Sequence, residues 1–415
     1  MSSLPATSQP QPAIAGRVLP RRFSFWLVAG TTATMLAASS APSPLYPVLQ
    51  AEYGFSTIVL TAIFAVYVLV LLLSLLTVGR LSDSLGRRPV LGAALIVEVA
   101  AMVLFLASDG TEWLLAARAV QGLATGAAVG VLGAYLLDLQ PAGGSRLGSL
   151  VNSAAPTTGL GLGAILTGLL VQYAPHPTRL VFVILAATFV LLAMATVVLP
   201  ETVVPETVRP VGGAFRALRP QVAVPPAARR AFTAAVPTMI ATWALGGLIL
   251  SVGGSLLATT FGQTNHAVVG VVLGLFAASG AVAAVLARDL AAAPMTRRGT
   301  IALIAGTGLF LAALATSSLT LFVVASAVAG GGFGSAFLGA LRSITQLAQP
   351  HQRAALLSAV YVVSYLAFSI PAVIAGLLIT DIGLRPTALA YGGFVAAVAI
   401  LALGYQAHSH EHAAA

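Results

Sequence analysis

A chain of 415 residues that is 58% hydrophobic and only 7% charged, with a mean hydropathy of +0.98, lies far outside the range of soluble domains, which run about 45–50% apolar and about 25% charged. It has no cysteine, which excludes disulfides, thiolate metal sites and cysteine nucleophiles. The net charge of +9 comes from twenty arginines, without a single lysine, against eleven acids, and in so apolar a chain that surplus is tested against membrane topology before any nucleic-acid partner.

Residues 1–22 are polar and Pro-rich, which predicts a disordered cytoplasmic lead. Arg21 and Arg22 then open an apolar run containing Ala37-Ala38-Ser39-Ser40-Ala41, which imitates a cleavable signal peptide but is long enough to span, so it is expected as an uncleaved first helix. A span needs about 20 apolar residues. Twelve such stretches are centred near Met35, Val68, Val97, Thr125, Gly161, Phe189, Gly246, Gly274, Phe310, Gly331, Phe368 and Ala396. Their length and their richness in Ala, Leu and Gly favour helices over the short alternating strands of a barrel. Six spans over 23–199 form one expected bundle and six over 231–405 the other. Between them, residues 200–230 carry six prolines and five arginines and read as a cytoplasmic linker. Residues 406–415 are expected as a cytoplasmic tail whose histidines bind no metal.

With the N-terminus inside, seventeen arginines fall on the inner side, Arg179 and Arg385 outside, and Arg118 within a span. That asymmetry predicts both termini in the cytoplasm and accounts for the basic excess without nucleic acid. The halves echo each other: Ala119-Val120-x-Gly122-x-x-x-Gly126 recurs at an offset of 208 as Ala327-Val328-x-Gly330-x-x-x-Gly334. Glycines at four-residue spacing, such as Gly122/Gly126 and Gly159/Gly163, let helix backbones approach closely, and Gln121 beside Gly122 is counted among these packing positions. Pro156 in the fifth span removes a backbone donor and is expected to bend it.

Arg118, about two turns inside the fourth span, costs at least ~2.5–3.5 kcal/mol there and is functional unless it snorkels outward. Glu98 is the one acid expected near the middle of a span. Burial would raise its pKa, making it either a proton-coupling group or an acid kept neutral in a polar pocket without a transport role. Tyr67, Asn152, Trp243, Tyr361 and Tyr365 are the mid-span polar and aromatic residues expected to line a cavity, although packing and interfacial belts use the same types. Such a cavity would suit a lipophilic or weakly charged solute.

The charged knot Gly79-Arg80-Leu81-Ser82-Asp83-Ser84-Leu85-Gly86-Arg87-Arg88-Pro89 resembles the G-x-L-a-D-r-x-G-r-[RK] signature of the major facilitator superfamily of secondary transporters. Arg118-Ala119-Val120-Gln121-Gly122 resembles its R-x-x-Q-G signature. The resemblance implies an all-α membrane protein with twelve transmembrane helices in two pseudo-symmetric six-helix bundles and a central site between them. It also implies that Asp83 latches the cytoplasmic side shut by pairing with the start of the eleventh helix, Arg353 or Arg342, with Gly79, Gly86, Arg87 and Arg88 shaping the turn. Arg118 would assist proton transfer.

Pro156-Thr157-Thr158-Gly159-Leu160-Gly161 partly resembles the G-P-x-x-G-G element of drug/proton antiporters, with Ala155 and Leu160 departing from it. Pro44-Leu45-Tyr46-Pro47 resembles the P-v-x-P element of twelve-span efflux proteins. These imply proton-coupled export of a small lipophilic solute from the inner or plasma membrane. The partners would be solute, protons and membrane lipid, with no obligate protein partner and no cofactor beyond the proton gradient. An importer or facilitator, and a non-transporting sensor on the same scaffold, are the alternatives. No clustered mid-span catalytic or metal-ligating set suggests an enzyme, and no phosphate-binding loop suggests direct ATP drive.

Overall fold

The computed structural model describes residues 18–78, 81–141, 147–203 and 220–414. Gly79 and Arg80, most of the expected lead and most of the expected linker lie outside these. The regular elements among the described residues are all helices. The first span is built from α1 (Arg21–Ser40) and α2 (Pro42–Tyr53), followed by α3 (Thr57–Val78), the short α4 (Leu81–Leu85), α5 (Arg87–Leu106), α6 (Thr111–Leu139), α7 (Leu147–Tyr173) and α8 (Leu180–Ala195). The second half comprises α9 (Arg229–Thr260), α10 (His266–Leu286), α11 (Ala292–Thr316), α12 (Leu319–Thr345), α13 (Arg353–Ile382) and α14 (Leu384–Ala414). Eleven helices among the described residues are long and apolar enough to cross a membrane, and α1 with α2 completes a twelfth crossing. The division of the first span has a local cause: Pro42 has no N–H, so the ladder of α1 ends beside it and α2 begins with proline at its first position.

Each half packs around its own apolar core. In the first, Phe105 of α5 stacks on Phe182 of α8 at 4.4 Å with planes 4° apart, and in the second Phe310 of α11 meets Phe322 of α12 at 5.5 Å. The repeat read from the sequence is a repeat of packing. Gly122 and Gly126 of α6 rest on the backbone carbonyls of Tyr67 and Leu71 in α3, while Gly330 and Gly334 of α12 rest on those of Phe276 and Gly280 in α10. A side chain at any of the four would separate backbones that gain their attraction from close contact, the main source of helix adhesion in lipid.

The twelve crossings place the start of α1 and the end of α14 on one side, called the terminus side here. The seams between the halves lie between mid-membrane and the far side. Gly161 and Gly168 of α7 face Gly274 and Gly270 of α10, and Gln172 accepts a 2.8 Å hydrogen bond from the His266 amide. Gly376 of α13 sits on Thr61 of α3, Phe64 meets Phe368 at 5.1 Å, and Gly254 of α9 faces the Ser43 carbonyl and Pro47 of α2.

On the terminus side each half is fastened to itself. Glu201 places Oε1 on the amides of Arg87, Thr202 and Val203 at 2.9, 3.0 and 3.1 Å, and Oε2 on that of Arg88 at 3.0 Å. It thereby caps α5 from the far end of the same half, where the exposed N–H groups and helix dipole favour an anion. Gly86 is required beside it: its φ is +100°, and Glu201 Oε2 stands where a Cβ would project. Glu201→Ala is expected to cost about 1–2 kcal/mol, the upper range of cap deletions, read as a lower melting temperature of the purified protein.

Candidate functional site

Arg118, Glu98 and Gln121 are fully buried inside the first half. The Arg118 guanidinium donates from Nε and Nη2 to the Tyr46 hydroxyl at 3.0 and 2.6 Å, and from Nη1 to the Ser39 carbonyl at 3.1 Å and Gln121 Oε1 at 2.6 Å. The Gln121 amide in turn donates to Glu98 Oε1 at 3.2 Å and to the Ala38 carbonyl at 3.0 Å. Glu98 and Arg118 are therefore joined through Gln121, a residue expected only at a packing position. Glu98 Oε2 has no hydrogen-bond partner among the described residues.

The availability of the Ala38 carbonyl follows from the sequence. Its helical partner four residues on would be Pro42, which has no proton to give, so the carbonyl is free for Gln121. The Pro-rich end of α1 thus supplies an acceptor at the depth where α5 and α6 carry their charged residues.

Tyr67 joins this network to the interface between halves. Its hydroxyl donates to Ser39 Oγ at 2.8 Å, and its ring centroid lies 4.7 Å from the Arg118 guanidinium carbon, within cation–π range. It also packs in an apolar cluster with Phe64 and Leu71 of its own helix and with Leu250 and Phe368 of the second half, against which Trp243 and Tyr365 are laid.

In the second half Trp243 of α9 meets Phe333 and Phe337 of α12, and Tyr365 and Phe368 of α13, edge to face at 5.9, 5.3, 5.0 and 5.6 Å. Tyr361 lies 6.1 Å from Tyr365. On α13, Ile370, Ile374 and Leu377 are half exposed on the outward side; by helical spacing Tyr361, Tyr365 and Phe368 occupy the opposite, inward side. Tyr361, Tyr365 and Trp243 are nevertheless partly accessible, so they face an internal space. The two α12 phenylalanines escaped the sequence reading, although their four-residue spacing, matching Tyr361 and Tyr365, is a signal for one helix face.

The other expected residues are dispersed. Asn152 stands against α6, its Oδ1 3.2 Å from where a Cβ of Gly133 would lie, away from the aromatic group. Gly159 packs α7 on the Ala33 carbonyl of α1, one turn beyond Pro156 inside the same helix. Asp83 does not meet Arg353 or Arg342 as expected. It pairs with Arg87 one turn on, which also reaches Ser82 at 2.7 Å and Asp138 at 3.4 Å, while Arg353 and Arg342 donate to the Ala348 and Arg288 carbonyls. The reason is the position of the seams: the halves meet from mid-membrane to the far side, and Asp83 lies at the other end. With the Asp83 side chain 62% exposed, its pair with Arg87 adds little stability.

The family model of the Major Facilitator Superfamily matches residues 28–304. Among curated proteins, the chain is 32% identical over 158 residues to an "Uncharacterized transporter" of Rickettsia felis, covering 38% of each chain. It is 33% identical over 140 residues to another of Rickettsia bellii, covering 33% of this chain and 34% of that one. The matches thus span little more than a third of those relatives. Among solved structures, the human organic anion transporter MFSD10 (TETRAN) superposes with a TM-score of 0.66 at 18% identity over 94% of this chain and all of that one. The nucleoside transporter NupG gives 0.71 at 12% identity over 93% and 100%. A bacterial homolog of the human lysosomal transporter Spinster, in an inward-facing and occupied conformation, gives 0.70 at 14% identity over 92% and 96%. At these identities the likeness is one of fold.

Proposed function

Since the chain belongs to the Major Facilitator Superfamily and is a multi-pass membrane transporter of small molecules rather than an enzyme, we propose that it exports a small lipophilic solute in exchange for protons. Its two halves alternate access to the aromatic space between them. The observation that carries this reading is the buried chain Glu98–Gln121–Arg118 lying against Tyr67, which itself packs on the second half.

Glu98 is the proton carrier in this reading. As a carboxylate it faces Arg118 across the Gln121 amide; as a carboxyl it leaves Arg118 as the only formal charge in the network. Each protonation step changes the field around the Tyr67 ring, and Tyr67 bears on the seam between α3 and α13. Export is favoured by the resemblance of Pro44-Leu45-Tyr46-Pro47 to an efflux element, and Tyr46 of that element accepts two of the Arg118 hydrogen bonds. The proton gradient is the energy source, and no other cofactor is needed.

With its seams toward the far side, this conformer is the one open inward. Asp83 would then engage α13 only after the halves rock to the opposite state, where it helps hold the terminus side shut. Arginines crowd the terminus side, with Arg179 and Arg385 opposite, which supports cytoplasmic termini in an inner or plasma membrane.

The test is flux in sealed vesicles of known orientation, with a panel of lipophilic dyes and an imposed pH gradient. Gradient-dependent movement of solute against its concentration, collapsed by a protonophore, is the expected result. Movement that ignores the gradient would exclude proton coupling.

A further inference from the structure

The rings around Trp243 carry information about what they receive. Trp243, Gly247, Ser251 and Gly254 share one face of α9, the face that meets Phe368 at Gly247 and, across the seam, Ser43 and Pro47 at Gly254. Trp243 therefore presents its indole toward the space between the halves. Its Nε1 is buried and has no hydrogen-bond acceptor among the described residues. The neighbouring rings offer at most their faces, which are weak acceptors compared with a carbonyl. A buried donor without a full partner is costly, and this one adjoins the accessible surfaces of Tyr361 and Tyr365.

Charge narrows the class further. From Ala231 to Ala287, Gly299 to Leu341 and Ala354 to Thr380 the second half has no Asp, Glu, Lys or Arg, so no counter-ion lies on that wall. The nearest buried charge is Arg118, held against the Tyr67 ring. Together with Glu98 it gives a local balance of zero or plus one and never a negative one. A cation entering here would lose hydration and meet repulsion; an anion would lose hydration without a partner on the aromatic wall. Trp243 also spends its ring on four edge-to-face neighbours, which leaves less of its face for a cation than an open cage would.

We propose that the site takes an uncharged aromatic molecule bearing a hydrogen-bond acceptor, with its ring laid against Tyr361 and Tyr365 and its acceptor on the Trp243 N–H. The assignment deepens the transporter reading above and rests on it for the location of the site. It makes Trp243 a specificity-determining residue.

The test is equilibrium binding to the purified full-length protein, using matched probes: naphthylacetamide, naphthylacetate, naphthylethylammonium, ethylnaphthalene and cyclohexylacetamide. In the wild type the amide is expected to bind tightest, with the ammonium weakest of the three polar naphthyl probes and cyclohexylacetamide weaker than its aromatic counterpart. Trp243→Phe keeps a ring but removes the donor. It should weaken naphthylacetamide about five- to tenfold, the worth of one hydrogen bond, while leaving ethylnaphthalene, which has no acceptor, unchanged. Equal or tighter binding of the ammonium, equal binding of cyclohexylacetamide, an unchanged affinity of the variant for the amide, or no binding of any probe would each overturn the proposal. The wild-type series stands even where the variant folds poorly. Because binding is read without a gradient, its failure leaves proton-coupled transport intact, and failure of gradient-driven flux leaves this binding result intact.

Discussion

Glu98→Gln is expected to remove gradient-driven accumulation of solute while the protein still folds, binds and exchanges solute across the vesicle membrane. Glutamine keeps the shape of the side chain and an oxygen to accept from Gln121, so the hydrogen bond of 3.2 Å has a replacement and the α5–α6 packing has no reason to change. What disappears is the ability to gain and lose a charge beside Arg118. Coupling free energies between two ligand sites run about 1–3 kcal/mol, so losing the coupling should reduce accumulation about 5- to 150-fold. The paired measurement is solute counterflow at equal pH on both sides, which does not need the proton step and should persist. Wild-type accumulation in the variant would show Glu98 to be an acid without a transport role.

The second large effect is expected at the seam. Gly270 of α10 is surrounded by the other half: the Ala164 carbonyl and the backbone of Gly168 in α7 occupy the space a side chain would need. Gly270→Leu should leave each bundle's own core alone and wedge the far side apart. Overpacking costs typically 1–3 kcal/mol, and applied to one conformer alone it shifts the balance toward the far-side-open state about 5- to 150-fold. The readout uses the absence of cysteine. Ser251, on the inter-half face of α9 and 3% exposed, is replaced by cysteine as the only thiol in the chain. Its labelling by an impermeant maleimide should be slow when Gly270 is retained and much faster once the Gly270→Leu change is added. Equal rates would show that the α7–α10 seam does not control access.

The fold was legible because lipid leaves the backbone few choices. Long apolar runs must be helices, and the offset repeat at Gly122/Gly126 and Gly330/Gly334 proved to be the same backbone-on-backbone contact made twice. Arg118 and Glu98 were legible for the complementary reason, since ionisable residues rarely sit at such depth without purpose. What sequence could not supply was direction. Gln121 looked like part of a packing motif, and only its place between α1 and α5 reveals the bridge. Asn152 and Trp243 are both polar mid-span residues, yet one turns to Gly133 and the other toward the space between the halves, a distinction set by helix rotation. Asp83 was paired with α13 from the resemblance, whereas its neighbour in this structure is Arg87 of the same turn.

The proline at position 42 does more than divide the first span. By withholding one proton it leaves the Ala38 oxygen as a bare dipole pointing at Gln121, a backbone acceptor that cannot titrate and that, in the proposed mechanism, stays constant while Glu98 gains and loses its proton. Such a fixed pole gives the glutamine a hinge point, so that its amide has one hand always held and one hand free to report on the acid. In the proposed mechanism a helix defect of this kind works as an electrical ground for the acid that gains and loses its charge.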